Sequence, residues 1–160
     1  MKFRLILAMA LLVLSAAIST PLAQDDLSFY PVRTLSEALK DSVNREDKAD
    51  FYMDGRQLKS RSKVTFTGEL RKLTDKRRQF VELWLESRGL SPNVINVLEK
   101  EAKFQEGNVV YWMPIRKRTL DLIPEDMKKG GQLDVYTILA GAVRVADKVE
   151  PVFIVGGITQ

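Results

Sequence analysis

The chain has 160 residues, about one domain's worth, with 25 Lys+Arg against 21 Asp+Glu and 45% hydrophobic residues. It contains no Cys and no His. Disulfide frameworks, thiol nucleophiles, Cys-based zinc sites, Ser-His-Asp triads and imidazole metal ligands are therefore excluded.

Lys2 and Arg4 precede an uncharged, almost wholly apolar run from Leu5 to Ile18, which exits through Ser19, Thr20, Pro21, Leu22 and Ala23. This is the layout of a secretory signal peptide, with cleavage expected after Ala23. The run is shorter than the roughly 20 residues of a membrane span, and no Cys follows it for lipidation. Removing residues 1–23 takes away Lys2 and Arg4 and lowers the formal net charge from +4 to +2. A general attraction to polyanions is then weak, and nucleic acid is not an expected partner of an exported chain. The expected location is the periplasm or the exterior, with membrane contact peripheral at most.

Along the remaining chain, residues 24–33 lack a clear period and read as an extended lead-in that tucks Phe29 and Tyr30 onto the domain. Thr34-Leu35-Ser36-Glu37 fits a capping box, and Leu35, Ala38, Leu39, Ser42 and Val43 share one helical face. Asn44 to Asp50 ends that helix. Asp54-Gly55 signals a hairpin turn or loop after Phe51-Tyr52-Met53, followed by a basic loop from Lys59 to Lys63. Val64, Phe66, Gly68 and Leu70 then alternate with Thr65, Thr67 and Glu69, which predicts a strand that Gly68 allows to bulge. Thr74 or Asp75 caps a second helix through Phe80, Val81, Trp84 and Leu85, stopped at Gly89. Ser91-Pro92 opens a third, whose stripe of Val94, Ile95, Leu98 and Ala102 is predicted to run to Phe104.

From Asn108 the period becomes two. Val109 to Ile115, Leu133 to Leu139 and Pro151 to Ile158 are predicted strands, with a short one at Leu120 to Ile123 and turns at Gly130-Gly131 and Ala146-Asp147-Lys148. Short connections imply antiparallel pairing. The organisation is thus a signal peptide (1–23), a lead-in (24–33) and a single α+β domain (34–160), with a curled antiparallel sheet of about four to five strands and two to three packed helices. An OB-like barrel fits, since Gly68 and Gly141 fall where corners are needed. It departs from that pattern in placing two helices after the first long strand.

No complete catalytic constellation is present. Ser60-Arg61-Ser62-Lys63 has the Ser-x-x-Lys spacing of penicillin-recognising enzymes, but it runs into a strand rather than opening a helix. Glu82 and Glu86 lie one helical turn apart, and Arg78 sits at the same spacing before Glu82, so surface charge pairing accounts for them. Asp121, Glu125 and Asp126 lack the ligand rhythm of a calcium loop, and Gly130-Gly131 and Gly156-Gly157 match no phosphate-binding loop. No cofactor or metal is expected. The suggestive residues are basic and aromatic: Arg71-Lys72 and Lys76-Arg77-Arg78, Arg116-Lys117-Arg118 and Lys128-Lys129. With Trp112 and Tyr136 on one sheet face, these would make a rim for an anionic ligand. The candidate ligand-binding residues are Arg71, Lys72, Arg77, Arg78, Trp112, Arg116, Lys117, Arg118 and Tyr136. The expected function is a non-enzymatic binding module of the bacterial envelope that recognises an anionic envelope component or an envelope protein. One alternative is a small envelope-polymer hydrolase built on two of Glu69, Asp134, Lys63 and Glu99. The other is a structural or chaperone-like subunit with an open strand edge at Val152 to Ile158.

Overall fold

The computed structural model describes residues 27–42, 49–90, 97–127 and 130–160. The expected signal peptide, the helix opening at Ser91-Pro92 and Lys128-Lys129 lie outside the described residues.

Five strands close into a barrel: β1 (Phe51–Lys72), β2 (Lys100–Glu106), β3 (Val109–Ile115), β4 (Gln132–Val145) and β5 (Lys148–Thr159), in the order β1-β2-β3-β5-β4. With helices α1 (Leu35–Asp41), α2 (Asp75–Glu86) and α3 (Lys117–Leu120), this is a small α+β domain consistent with an OB-like fold. The sheet is mixed rather than wholly antiparallel, because β3 and β5 run parallel through the pair Ile115 and Val155. That contact closes the barrel, and its two strands are not sequential, so no short hairpin connection fixes their relative direction.

Alternation along the strands separates an inner core from an outer one. Leu58, Ser60, Ser62, Val64 and Phe66 face inward opposite Leu139, Thr137, Val135 and Leu133. Ser60 and Thr137 satisfy each other at 2.8 Å between hydroxyl oxygens. Ala102, Phe104, Tyr111, Met113, Phe153 and Val155 complete the interior, joined by Leu35 and Ala38 of α1 and by Ile123 beyond α3. Outside the barrel, Phe80, Val81, Trp84 and Leu85 of α2 bury against Ala140, Val143, Val152 and Ile154. Both layers remove large apolar side chains from water, the dominant favourable term in folding.

Corners appear where glycine permits them. Gly68 has φ +85° within a register shift between Phe66 and Leu70. Gly141 has φ +146° beside another, and a Cβ there would lie 1.8 Å from the Tyr52 carbonyl oxygen. Only glycine allows β1 and β4 to approach so closely.

The helix starts agree with the sequence reading. Thr34 and Glu37 form the full capping box of α1, and the Thr74 hydroxyl accepts from Arg77 N–H at the start of α2. The Glu106 carboxylate reaches across from β2 to accept from the Leu35 and Ser36 N–H groups at 2.8 and 3.1 Å. Every orphan donor of that helical turn is thereby satisfied. The lead-in is half tucked: Tyr30 is buried edge-on against Tyr136, while Phe29 is 68% exposed. Pro31 and Arg33 pair with Arg61 along the β1 edge.

Four expectations are corrected. Asp54-Gly55 closes no hairpin but lies inside the 22-residue β1; Asp54 is buried and binds the Arg56 backbone and guanidinium, and the strand kinks before Leu58 with Gln57 at φ +51°. Lys59 to Lys63 is strand, not loop. Residues 100–106 are β2 rather than the end of a helix, and Leu120 to Ile123 belongs to α3 and its exit turn rather than a strand. Val152 to Ile158 pairs with β4 along most of its length and meets β3 at the single pair Ile115 and Val155, with Val152, Phe153 and Val155 fully buried.

Candidate binding face

The outer surface of β1, β2 and β3 carries the most structured group of polar side chains. Strand pairing sets Arg71 opposite Glu101, Glu101 opposite Pro114 and Lys103 opposite Trp112, all pointing away from the core to which Ala102 and Phe104 turn. At the centre is Glu101, fully buried. One of its oxygens accepts from Arg71 Nε at 2.7 Å and the other from Arg77 Nε. Arg77 is itself 1% exposed. Its Nη2 donates to the Trp112 carbonyl at 2.7 Å, and its Nη1 pairs with Glu150 at 3.3 Å. The arginine thus satisfies a β3 carbonyl where β3 and β5 have separated, and Glu101 neutralises it. A charge this deep needs both a counterion and filled hydrogen bonds.

Above this buried pair the surface opens to solvent. The Arg71 guanidinium stacks on the half-buried Trp112 ring, 4.2 Å from its centroid. Lys103 lies 5.8 Å from the same ring and is held by Glu69 at 2.6 Å. Arg71 is therefore fixed by stacking and by its Nε, with its side chain 34% exposed. No bond of its Nη donors is made among the described residues. A stacked, tethered guanidinium loses less conformational freedom on meeting a carboxylate or phosphate than a free one.

The structure thus brings Arg71, Arg77 and Trp112 together but gives them different tasks, Arg77 being internal. Lys72 stands on the opposite side of the pleat from Arg71, paired with Lys100. Arg78 is half-buried on α2; Arg116 occupies the N-cap position of α3, and Lys117 and Arg118 are exposed on its first turn. Tyr136 is not part of an exposed platform. It is buried on β4 against Tyr30, with Arg61 5.6 Å from its ring, and Arg61 bonds Asp134 at 2.7 Å. That ion pair holds the Arg61 guanidinium above its ordinary pKa.

Glu101, Lys103 and Glu69 complete the face yet were absent from the expected ligand set. Their partners lie some 24 to 34 residues away in sequence, so only strand register could have revealed them. Ser60 and Lys63 are three residues apart on a strand and face opposite sides, Ser60 inward to Thr137 and Lys63 outward; no nucleophile is built there. The carboxylates of the hydrolase alternative are dispersed: Glu69 holds Lys103, Asp134 holds Arg61 beside Lys63, and Glu99 sits apart at a cleft before β2. Among the described residues no cluster of three metal-ligating side chains occurs, and no helix is long and apolar enough to cross a membrane. Comparison with protein-family models, curated proteins and solved structures gives no match.

Proposed function

We propose that the protein is an exported binding module of the bacterial envelope that recognises an anionic envelope component through the outer face of β1, β2 and β3. The observation that carries this reading is the Arg71 guanidinium, stacked on Trp112 and anchored to buried Glu101 while its outer donors make no bond among the described residues. Lys103 adds a second cation at the same ring. Such a face suits a carboxylate- or phosphate-bearing polymer: its charge meets Arg71, and its sugar or acyl faces meet Trp112. Export rests on the apolar run from Leu5 to Ile18. The test is retention of the purified protein by sacculi, anionic liposomes and solubilised envelope proteins over a salt series. Binding to sacculi or lipid that fades as salt rises is the expected result, because exposed charges are screened over about 10 Å at 0.1 M. A salt-resistant protein partner would replace this reading with that of a complex subunit.

A further inference from the structure

A second feature lies at the end of the barrel where β2 begins and β3 ends, on the other side of the pleat from Trp112. Because Arg71 and Glu101 face outward, the adjacent pair, Lys72 and Lys100, points the opposite way, towards the barrel end. The two are direct antiparallel partners, which puts their Cβ atoms roughly 5 Å apart. Both are exposed. Like charges set directly opposite destabilise a sheet, and neither makes an ion pair among the described residues, where the paired lysines are Lys76, Lys103 and Lys117. Lys100 also lines a cleft of about 200 Å³ whose apolar wall is Val97, Ile115 and Leu120. A dry cavity of roughly 150 Å³ holds benzene, so the cleft takes a ring or a short branched chain. Lys117 and Asp121 at the rim pair with each other at 3.4 Å. Glu99, exposed at the same mouth, opposes a high density of negative charge.

We propose that this cleft binds a small anion with an apolar body. Its carboxylate or phosphate monoester lies between Lys72 and Lys100, and its body rests on Val97, Ile115 and Leu120. An anion there converts the repulsion between the lysines into two attractions. The site is independent of the Trp112 face.

The experiment is a titration of the purified, isotope-labelled protein followed by amide chemical shifts, with benzoate, phenyl phosphate, inorganic phosphate and benzylamine as separate probes. Benzoate or phenyl phosphate should give saturable shifts at residues 97–100 and 115–121, and whichever binds tighter identifies the anionic group. Inorganic phosphate, lacking the body, should bind about tenfold more weakly, and benzylamine should leave these amides unmoved. Lys72→Gln and Lys100→Gln should each weaken benzoate about tenfold without lowering the melting temperature, since both side chains are exposed. Glu99→Gln should tighten benzoate binding, and Trp112→Ala should not alter it. The proposal is overturned by an absence of saturable shifts from either aromatic anion up to about 10 mM. It is equally overturned by shifts confined to other surfaces, by equal shifts from benzylamine, or by lysine variants that bind as the parent does.

Discussion

Neutralising Glu101 isolates the buried charge on which the outer face of the barrel is built. In Glu101→Gln the side chain keeps its size but loses its charge, leaving Arg77, whose side chain is 2% exposed, with only Glu150 at 3.3 Å. Glu150 is far more exposed and cannot replace a dry counterion. Removing one partner of a buried pair costs about 3–5 kcal/mol. The surviving bond from Arg77 to the Trp112 carbonyl places the expected loss near the lower end, at about 3 kcal/mol. The contribution of part-exposed Arg71 is discounted for solvent to below about 1 kcal/mol. For a domain of this size the total corresponds to a fall in melting temperature of about 10 °C. Urea unfolding followed by circular dichroism measures it, provided the slope is unchanged. Arg77→Met alone should be similarly harmful, whereas the double variant Arg77→Met/Glu101→Met should lose much less than both singles together, because no charge stays buried. A loss below about 1 kcal/mol for Glu101→Gln, or strictly additive singles, would refute the buried pair as the organiser of this face.

Three other outcomes follow from single contacts. Gly141→Ala puts a methyl group 1.8 Å from the Tyr52 carbonyl oxygen, so a loss of about 4 kcal/mol or failure to fold is expected, read by chemical denaturation. Glu106→Ala removes the acceptor of the Leu35 and Ser36 N–H groups and should cost about 2 kcal/mol, with faster hydrogen exchange confined first to α1. The pH profile has two limbs. Hydrogen bonds from Thr34 hold Glu37 below the usual carboxylate range, so the unfolded chain binds more protons in acid and stability falls as pH drops below about 4.5. Burial pushes the Tyr111 phenol up, so the unfolded chain loses that proton first and stability falls as pH rises above about 10. Melting temperatures across pH should show Glu37→Gln flattening the acid limb and Tyr111→Phe the alkaline one.

Much of the local structure was legible because it depends on neighbours in sequence. The Thr34 capping box, the Thr74 cap, Gly89 at φ +66°, the strand from Val109 to Ile115 and the turn at Ala146 each need only a few adjacent residues. What escaped is non-local. In β2 the apolar residues on the inward side are Ala102 and Phe104, and the outward Glu101 is buried; the polar-out rule fails there, while Leu98 and Ala102 mimic a helical stripe. In β1, Ser60 and Ser62 point inward, where Ser60 shares a hydrogen bond with Thr137 and Ser62 donates to the Arg33 carbonyl, so its first half lacked apolar alternation. The binding face was half visible. Arg71 and Trp112 stood out by type, but their stacking depends on β2 lying between their strands and on the register shift at Gly68.

The most direct test of the functional account compares envelope retention of the parent, Arg71→Gln and Trp112→Ala at low and high salt, with circular dichroism confirming that all three are folded. The account predicts salt-sensitive retention of the parent by sacculi or anionic vesicles, reduced about tenfold in each variant as one charge-assisted or stacking contact is lost. Retention that is equal in all three proteins, or absent from the parent, would contradict it.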